Sequence, residues 1–132
     1  MSNFEKNLEQ AINNAKRLTD KILIDGKLIS AQTNNKIPVL NPSTGDNIGS
    51  APQCNKDDVN IAVESAHKAF QKWKKIPARE RGKMVAAGAK RLEERKSEIE
   101  TLLSLDTGNA LRTQAIPETG ASIELTNMFA GL

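Results

Sequence analysis

The hydrophobic pattern of this chain changes its period near residue 55, and this change constrains the fold most strongly. Between residue 21 and that point, short apolar runs alternate with turn residues, a pattern typical of small strands and hairpins. After it, apolar residues recur every three or four positions, which is the period of an α-helix. The sequence therefore predicts an α+β chain of short β-hairpins and about four to five helices.

Two hairpins are predicted from turn residues that separate apolar runs. Asp25-Gly26 lies between the first two runs, and this dipeptide favours a type I′ turn, in which both central residues have positive φ. A second pair of runs, at 36–40 and 48–51, flanks a turn in which Gly45 supplies a left-handed conformation. Such hairpins are marginal alone, so we expect them to lie on helices or on a larger sheet.

A series of helices is predicted after the hairpins. Asn55 is a favourable N-cap for the first of them, and Gly108 is a favourable C-terminal residue for the third. We expect each helix to face inward through its apolar positions. These are Val59, Ala62, Val63, Ala66, Phe70 and Trp73 in the first helix, Met84, Val85, Gly88 and Leu92 in the second, Ile99, Leu102 and Leu103 in the third, and Leu125, Met128, Phe129 and Leu132 in the fourth, which begins near Pro117.

Residues 1–20 are predicted to form a separate amphipathic helix before the hairpins. Ser2 and Glu5 have the spacing of a capping box. The helix carries a narrow apolar stripe of Phe4, Leu8, Ile12, Ala15 and Leu18. A helix docked by this stripe is the favoured interpretation. The alternative is a membrane-surface helix, which the mixture of Glu and Lys on the polar face disfavours.

Composition limits the class of protein. The chain has three Phe, one Trp and no Tyr, so its core must be aliphatic and thin. A net charge of +3, from 19 basic and 16 acidic residues, is too small to indicate a polyanion-binding protein. The basic stretch at 68–83 is balanced by acidic residues at 93–100, so it predicts a solvated face rather than a nucleic-acid site. The single cysteine and the absence of a long apolar run predict a cytoplasmic chain with no membrane partner.

Two side chains have potential chemistry of their own. Cys54 precedes the start of a predicted helix, where a thiolate would be stabilised. No histidine is near it in sequence, so we expect an incidental thiol, with a reactive cysteine as the alternative. His67 lies on the flank of its helix and is predicted to be a surface or boundary side chain rather than a ligand. No Cys, His, Asp or Glu residues have convincing metal-ligand spacing.

An ordered series of short motifs resembles the start of the aldehyde dehydrogenase superfamily. No single motif is specific, but their order and spacing are. The series consists of Ile24-Asp25-Gly26-Lys27, Asn41-Pro42-Ser43-Thr44-Gly45, the helix signature of Asp58-Val59, Ala62-Val63, Ala66, Ala69-Phe70 and Trp73, then Arg79-Glu80-Arg81, Asp106-Thr107-Gly108 and Ala130-Gly131. The resemblance covers residues 21–132 and implies the N-terminal part of the family's α/β, Rossmann-like coenzyme-binding domain. One departure is Asn109, where many members have a lysine that is not catalytic.

The resemblance implies a parent enzyme that oxidises an aldehyde to a carboxylic acid with NAD or NADP, through a cysteine thiohemiacetal. Family members run to several hundred residues. We therefore expect this chain to be truncated and to lack the family's nucleophilic Cys, general-base Glu, catalytic Asn and glycine-rich coenzyme turn. On this expectation it contains no catalytic or cofactor-binding residue, and the chain alone is inactive. The alternative is a standalone, non-enzymatic remnant that associates through its last helix.

The resemblance also implies two sets of site residues. In some members the aspartate before Thr-Gly, together with carbonyls of the strand before Asn-Pro, holds a monovalent cation. The alternative is that this aspartate only ends its helix through local hydrogen bonds. The fourth helix of the family borders the substrate entrance. The implied residues are Asp106 with Leu40, or with Val39, for the cation, and Glu118, Ala121 and Leu125 for the entrance. The expected partners are the remainder of an aldehyde dehydrogenase chain and a second copy of this one.

Overall fold

One helix precedes two β-hairpins and further helices follow them in the computed structural model, which describes the backbone of residues 3–132 and the side chains from residue 5. The elements are α1 (Asn3–Leu18), β1 (Lys21–Ile24), β2 (Lys27–Ser30), β3 (Lys36–Leu40), β4 (Asn47–Pro52), α2 (Lys56–Trp73), α3 (Ala78–Glu94), α4 (Lys96–Thr107) and α5 (Ile116–Ala130). A π-helical turn over Leu111–Ala115 leads into α5. The predicted α+β class is confirmed. The predicted cap at Ser2 and the side chain of Phe4 lie outside the described residues.

The two hairpins form separate two-stranded antiparallel sheets. In the first, β1 pairs with β2, and Asp25 and Gly26 have φ values of 52° and 73°. Both values are positive, as the predicted type I′ turn requires. In the second, β3 pairs with β4 across the turn that contains Gly45, whose φ is 77°. An irregularity in this ladder lies between Val39 and Leu40.

Asp58 joins the start of α2 to the loop after β2. The predicted N-cap is confirmed, because the Asn55 side chain accepts a hydrogen bond from the Asp58 backbone N–H at 2.9 Å. In return the Asp58 carboxylate accepts hydrogen bonds from the Asn55 N–H and the Gln32 N–H, each at 3.0 Å. Asp58 is only 4% exposed, and two partly buried backbone N–H groups depend on its carboxylate.

Helix α1 lies along α4. Ala11 is fully buried between them, and Leu8, Ile12 and Ala15 are half-buried. The Glu98 carboxylate of α4 makes a polar contact with α1, because the Asn14 side chain donates a hydrogen bond to it. The Arg95 guanidinium, at the start of α4, also donates two hydrogen bonds to this carboxylate, at 3.0 and 2.6 Å, and is the main cause of the lowered pKa of Glu98.

Asp20 fixes the end of α1 to the second hairpin. Its backbone, at a φ of 60°, donates a hydrogen bond from N–H to the Ser50 carbonyl at 3.2 Å. Its carboxylate forms an ion pair with Lys36 and accepts a hydrogen bond from the Ser50 hydroxyl at 2.7 Å. The bonds to Lys36 and Ser50 lower the pKa of the Asp20 carboxyl. Asp20 therefore connects the C-terminal end of α1 to both antiparallel strands, β3 and β4, of the second hairpin.

The predicted inward face of α2 is wrong for the described part of the chain. Val59, Val63 and Phe70 are more than half exposed, and Trp73 and Ala66 are also exposed. Of the predicted set only Ala62 is half-buried. The reason is that α2 contacts the other described elements through the side that carries Asp58, and nothing described covers the apolar side.

Helices α3 and α5 also leave most of their predicted inward residues exposed. In α3 the buried residue is Ala89, whereas Val85 is half-buried and Met84, Gly88 and Leu92 are exposed. In α5, Thr119 and Ile123 are buried. The predicted α5 residues are exposed: Leu125, Met128, Phe129 and Leu132. Only α4 follows its prediction, since Ile99, Leu102 and Leu103 are half-buried against α1 and the second hairpin.

Replacing Asp58 with alanine should destabilise the fold by about 1–3 kcal/mol, because two partly buried N–H groups would lose their acceptor. Urea unfolding followed by circular dichroism measures this change. Asp57→Ala is the matched control, since Asp57 is an exposed residue in the same helical turn. Equal losses for the two variants would show that the carboxylate bridge contributes nothing beyond its effect on the helix dipole.

Acid should destabilise the fold below about pH 4. The carboxyl pKa values of Glu98 and Asp20 are lower in the folded chain than in an unfolded one. Their stabilisation is thus complete above the unfolded pKa and is lost as the pH falls through the folded pKa. Glu98→Gln should reduce stability at pH 7 and flatten the acid limb of the stability curve. The exposed Glu9→Gln should leave that limb unchanged, and a curve for Glu98→Gln that parallels wild type would contradict the assignment.

Candidate functional site

A groove of about 430 Å³ runs between α1, the second hairpin and α4. Its walls are mainly aliphatic, and Asp106 is the acidic residue that lines it. Val39 lines the same groove, whereas Leu40 does not. Of the two strand positions predicted for a cation site, the structure therefore brings Val39 to the groove of Asp106.

Hydrogen bonds from Gly108 and Thr107 end helix α4. Gly108 adopts a φ of 75° and donates its N–H to the Ser104 carbonyl at 3.0 Å. The Thr107 hydroxyl donates to the Leu103 carbonyl at 2.6 Å. Asp106 is exposed and takes no part in these bonds. The hydrogen bonds that end α4 are thus made by Gly108 and Thr107.

Two motifs that are far apart in the sequence meet at this helix end. A Cβ atom placed on Gly108 would lie 2.9 Å from Cγ of Pro42, and 3.8 Å from the Ser43 hydroxyl. The Asn-Pro-Ser-Thr-Gly turn thus packs directly against the Asp-Thr-Gly end of α4. A glycine is required at 108 both for its positive φ and for this close approach.

A π-helical turn positions the start of α5, and sequence reasoning missed it. The N–H of Ala115 donates to the Ala110 carbonyl at 3.2 Å, a five-residue step. The signal that could have found it was Pro117, which has no N–H and so interrupts the regular ladder of hydrogen bonds at this point. The turn buries Ala115 completely.

Glu118, Ala121 and Leu125 share one side of α5, at the helical spacing i, i+3 and i+7. All three are exposed, while Thr119 and Ile123 are buried. The Asn109 amide donates to the Glu118 carboxylate at 3.3 Å, which ties this side chain to the loop after α4. The residues predicted for a substrate entrance therefore form one exposed surface.

Cys54 and His67 lie on the surface. Cys54 is an exposed free thiol in the loop before α2. His67 is exposed, as predicted, and its ring Nε2 lies 3.1 Å from the Gln71 amide nitrogen. Neither side chain contacts the groove of Asp106.

No strand among the described residues leads through a glycine-rich turn into a helix, the arrangement that holds a dinucleotide pyrophosphate. The one direct passage from a strand to an α-helix runs from β4 to α2 through Gln53, Cys54 and Asn55. The residues present therefore do not fit a dinucleotide. Over the same residues, no set of three or more His, Cys, Asp or Glu side chains is grouped for a metal ion, and no helix has the length and apolar content to cross a bilayer.

Most of this chain matches a known protein family. The sequence model of the Aldehyde dehydrogenase family matches residues 28–132, and the chain belongs to this family. The phenylacetaldehyde dehydrogenase of Pseudomonas fluorescens is 34% identical over 117 residues, which is 87% of this chain and 23% of that protein. The chain thus spans about a quarter of the length of the curated relatives that it matches.

Solved structures of the same fold superpose on nearly all of this chain. HpcC from Thermus thermophilus superposes with a TM-score of 0.89 at 25% identity, over 96% of this chain and 24% of that one. The betaine aldehyde dehydrogenase of Staphylococcus aureus, solved in complex with NAD+, gives a TM-score of 0.86 at 27% identity, over 95% of this chain and 25% of that one. The predicted N-terminal part of the aldehyde dehydrogenase fold is confirmed.

Gly82→Ala should separate α3 from α5. A Cβ atom at Gly82 would lie 2.3 Å from the Ala130 carbonyl oxygen, which is backbone and has little freedom to move. Gly88, in the same helix, has nothing within 4 Å of its Cβ position, so Gly88→Ala should instead stabilise the helix by up to about 1 kcal/mol. Thermal unfolding of both variants measures the contrast. A gain in stability for Gly82→Ala would mean that the two helices do not pack this closely.

Proposed function

We propose that this chain forms the N-terminal segment of the coenzyme-binding domain of an NAD(P)-dependent aldehyde dehydrogenase, a cytoplasmic oxidoreductase that converts an aldehyde to a carboxylic acid. The observation that carries the proposal is the superposition of 95% of the chain on an aldehyde dehydrogenase solved with NAD+. The family match over residues 28–132 supports it independently of the structure. The single cysteine supports a reducing compartment.

The contribution of this segment to the enzyme is structural. Cys54, the one thiol, is exposed and lies outside the groove of Asp106. The residues present do not fit a dinucleotide, so the coenzyme must be held by other parts of the fold. The segment supplies two hairpins and five helices whose uncovered faces meet those parts.

Two sites at the edge of the segment belong to the same proposal. Asp106, with carbonyls at Val39 or Leu40, would contribute hard oxygen ligands to a monovalent cation. This assignment is supported by the groove that Val39 of the second hairpin and Asp106 of α4 line together. The exposed side of α5 that carries Glu118, Ala121 and Leu125 would border the substrate entrance. Its fixed position relative to α4, through the Asn109–Glu118 hydrogen bond, supports this assignment.

A chimaeric enzyme tests the proposed function. Residues 28–132 would replace the matching segment of the Staphylococcus aureus betaine aldehyde dehydrogenase. We expect the chimaera to reduce NAD in the presence of an aldehyde and the 132-residue chain alone to produce no detectable NADH absorbance. A folded chimaera without activity, or turnover by the short chain alone, would contradict the proposal.

In that chimaera, Asp106→Asn should remove the dependence of thermal stability on potassium or sodium while leaving the fold intact. The reason is that an amide retains the size of the carboxylate but lacks its charge. The exposed Asp57→Asn is the control for a lost surface charge. An unchanged difference in melting temperature between chloride salts of potassium and a large organic cation would exclude Asp106 as a ligand.

A second candidate function is self-association of the chain as a non-enzymatic module, and one observation favours it. Leu125, Met128 and Phe129 are each more than half exposed near the end of α5. Exposed apolar patches of this kind tend to find partners. Light scattering on the purified chain should show a dimer that Phe129→Ser weakens. A monomer at all concentrations would remove this candidate.

A further inference from the structure

Asp25-Gly26, at the tip of the first hairpin, is the one place in the chain where a glycine follows an aspartate or an asparagine. A backbone nitrogen can attack the side-chain carboxyl of the residue before it and close a five-membered ring. The attack is easiest when the nitrogen belongs to glycine, because glycine has no side chain that crowds the approach. The neighbour of Asp25 therefore favours this reaction more than the neighbour of any other aspartate in the chain.

The structure leaves both reacting groups accessible. Asp25 and Gly26 are exposed, and a Cβ atom placed on Gly26 would meet no atom within 4 Å. Within the part of the chain that the structure describes, neither the Asp25 carboxylate nor the Gly26 N–H takes part in a hydrogen bond. The ring would therefore form in open space, and no hydrogen bond would have to break first.

The hairpin that carries this turn is built to open at its tip. It is a two-stranded sheet, and such sheets are marginally stable. All of β2 is exposed, and Asp25 has a φ of 52°, a left-handed conformation that costs a residue other than glycine free energy. At the opposite end of the hairpin, the Lys21 ammonium donates a hydrogen bond to the Ser30 hydroxyl at 3.0 Å. Local opening would thus begin at the turn, where it lets the Asp25 carboxyl rotate towards the Gly26 nitrogen.

The other aspartates are placed in ways that hinder the same reaction. Asp20 and Asp58 accept hydrogen bonds through their carboxylates. Asp57 and Asp106 lie within helices, where the backbone is held by the helical hydrogen bonds. Asp46 is exposed in a turn, but an asparagine follows it instead of a glycine. Asp46 therefore provides an internal comparison for the effect of the neighbour.

We infer that Asp25 is a site of spontaneous conversion to isoaspartate in the folded chain. In the first step the Gly26 nitrogen bonds to Cγ of Asp25, and the amide proton leaves with the carboxyl hydroxyl as water. In the second step water attacks the main-chain carbonyl carbon of residue 25, and the bond from this carbon to the Gly26 nitrogen breaks. The main chain then runs through Cβ and Cγ of residue 25, and no atom is gained or lost overall.

The product would not fit the turn that formed it. Isoaspartate lengthens the main chain by one atom, whereas a type I′ turn depends on two residues of ordinary length. The pairing of Ile24 with Lys27, which closes the hairpin, would therefore be disturbed. Ile24 and Asp25 also line a depression between the first hairpin and α2, together with Trp73, so this surface would change as well. The new carboxyl group would be a substrate for an isoaspartate-specific methyltransferase, which takes its methyl group from S-adenosylmethionine.

Mass spectrometry of the 132-residue chain tests the inference, which does not depend on the proposed function. The folded chain would be incubated near neutral pH in water enriched in heavy oxygen and then cleaved after its lysines, which places Asp25 in the peptide of residues 22–27. We expect an isomer of this peptide that contains heavy oxygen, resists an aspartate-specific protease and accepts a methyl group from an isoaspartyl methyltransferase. The peptide of residues 37–56, which contains Asp46, should show no such isomer over the same time.

Two variants at residue 25 identify the reacting group. Asp25→Gly should abolish the product, because it removes the carboxyl but keeps a dipeptide that suits a type I′ turn. Asp25→Asn also suits this turn and should form the product faster, with loss of ammonia in place of the first water. Circular dichroism would verify that both variants fold.

Two outcomes would overturn the inference. If the folded chain forms no isoaspartate at residue 25, whether or not the chain forms it in urea, the turn protects this aspartate. Equal amounts of isoaspartate at Asp25 and Asp46 would show that neither the following glycine nor the hairpin tip selects the site.

Discussion

The fold has little buried apolar surface, and this shortage determines how its elements must be held together. Among the described residues, the buried hydrophobic side chains are those of Ala11, Ala89, Ala115 and Ile123, and no large side chain is completely buried. Apolar burial supplies most of the free energy of folding in ordinary domains. A segment that buries mostly alanines must therefore hold its elements together by other means or gain cover from further structure.

Polar junctions at the ends of elements provide those other means. Asp20 connects α1 to the second hairpin, Asp58 connects the loop after β2 to α2, and Glu98 joins α4 to α1. Each junction uses a carboxylate that accepts two or more hydrogen bonds. Such contacts define geometry well but contribute modest net stability. They explain how the elements are placed before their apolar faces are covered.

The same placement explains why the candidate site lies at the edge of the segment. The Asn-Pro turn meets the end of α4 only because Gly108 allows Pro42 to approach, and this contact brings the second hairpin to the groove of Asp106. The π-helical turn then redirects the chain into α5, whose exposed side carries Glu118. Both sites open towards regions that the described residues do not fill.

Local features could be predicted from the sequence, whereas the choice of buried faces could not. The turn at Asp25-Gly26, the cap at Asn55 and the glycine at 108 each depend on a few adjacent residues, so their patterns are reliable. An apolar stripe shows only that a face is suited to packing, and no described residue covers this face of α2. This is why its inward face was predicted wrongly.

In the candidate site, too, some features could be predicted from the sequence, whereas contacts between distant residues could not. The resemblance to a known family predicted Asp106, Glu118 and their neighbours as site residues, but it left two strand positions open. The irregularity between Val39 and Leu40 disturbs the alternation of side chains, so no simple pattern could decide which of them faces α4. The role of Asp58 in holding Gln32 was also missed, because the contact joins residues that are not adjacent in the sequence.

Hydrogen exchange of the α2 backbone amides tests most directly whether this segment needs the rest of its fold. The measurement compares the isolated 132-residue chain with the same residues inside a full-length aldehyde dehydrogenase chimaera. We predict rapid exchange from Val59 to Trp73 in the isolated chain and a rise in protection of at least about a hundred-fold in the chimaera. Equal protection in both would show that the segment is complete in itself and would contradict the account.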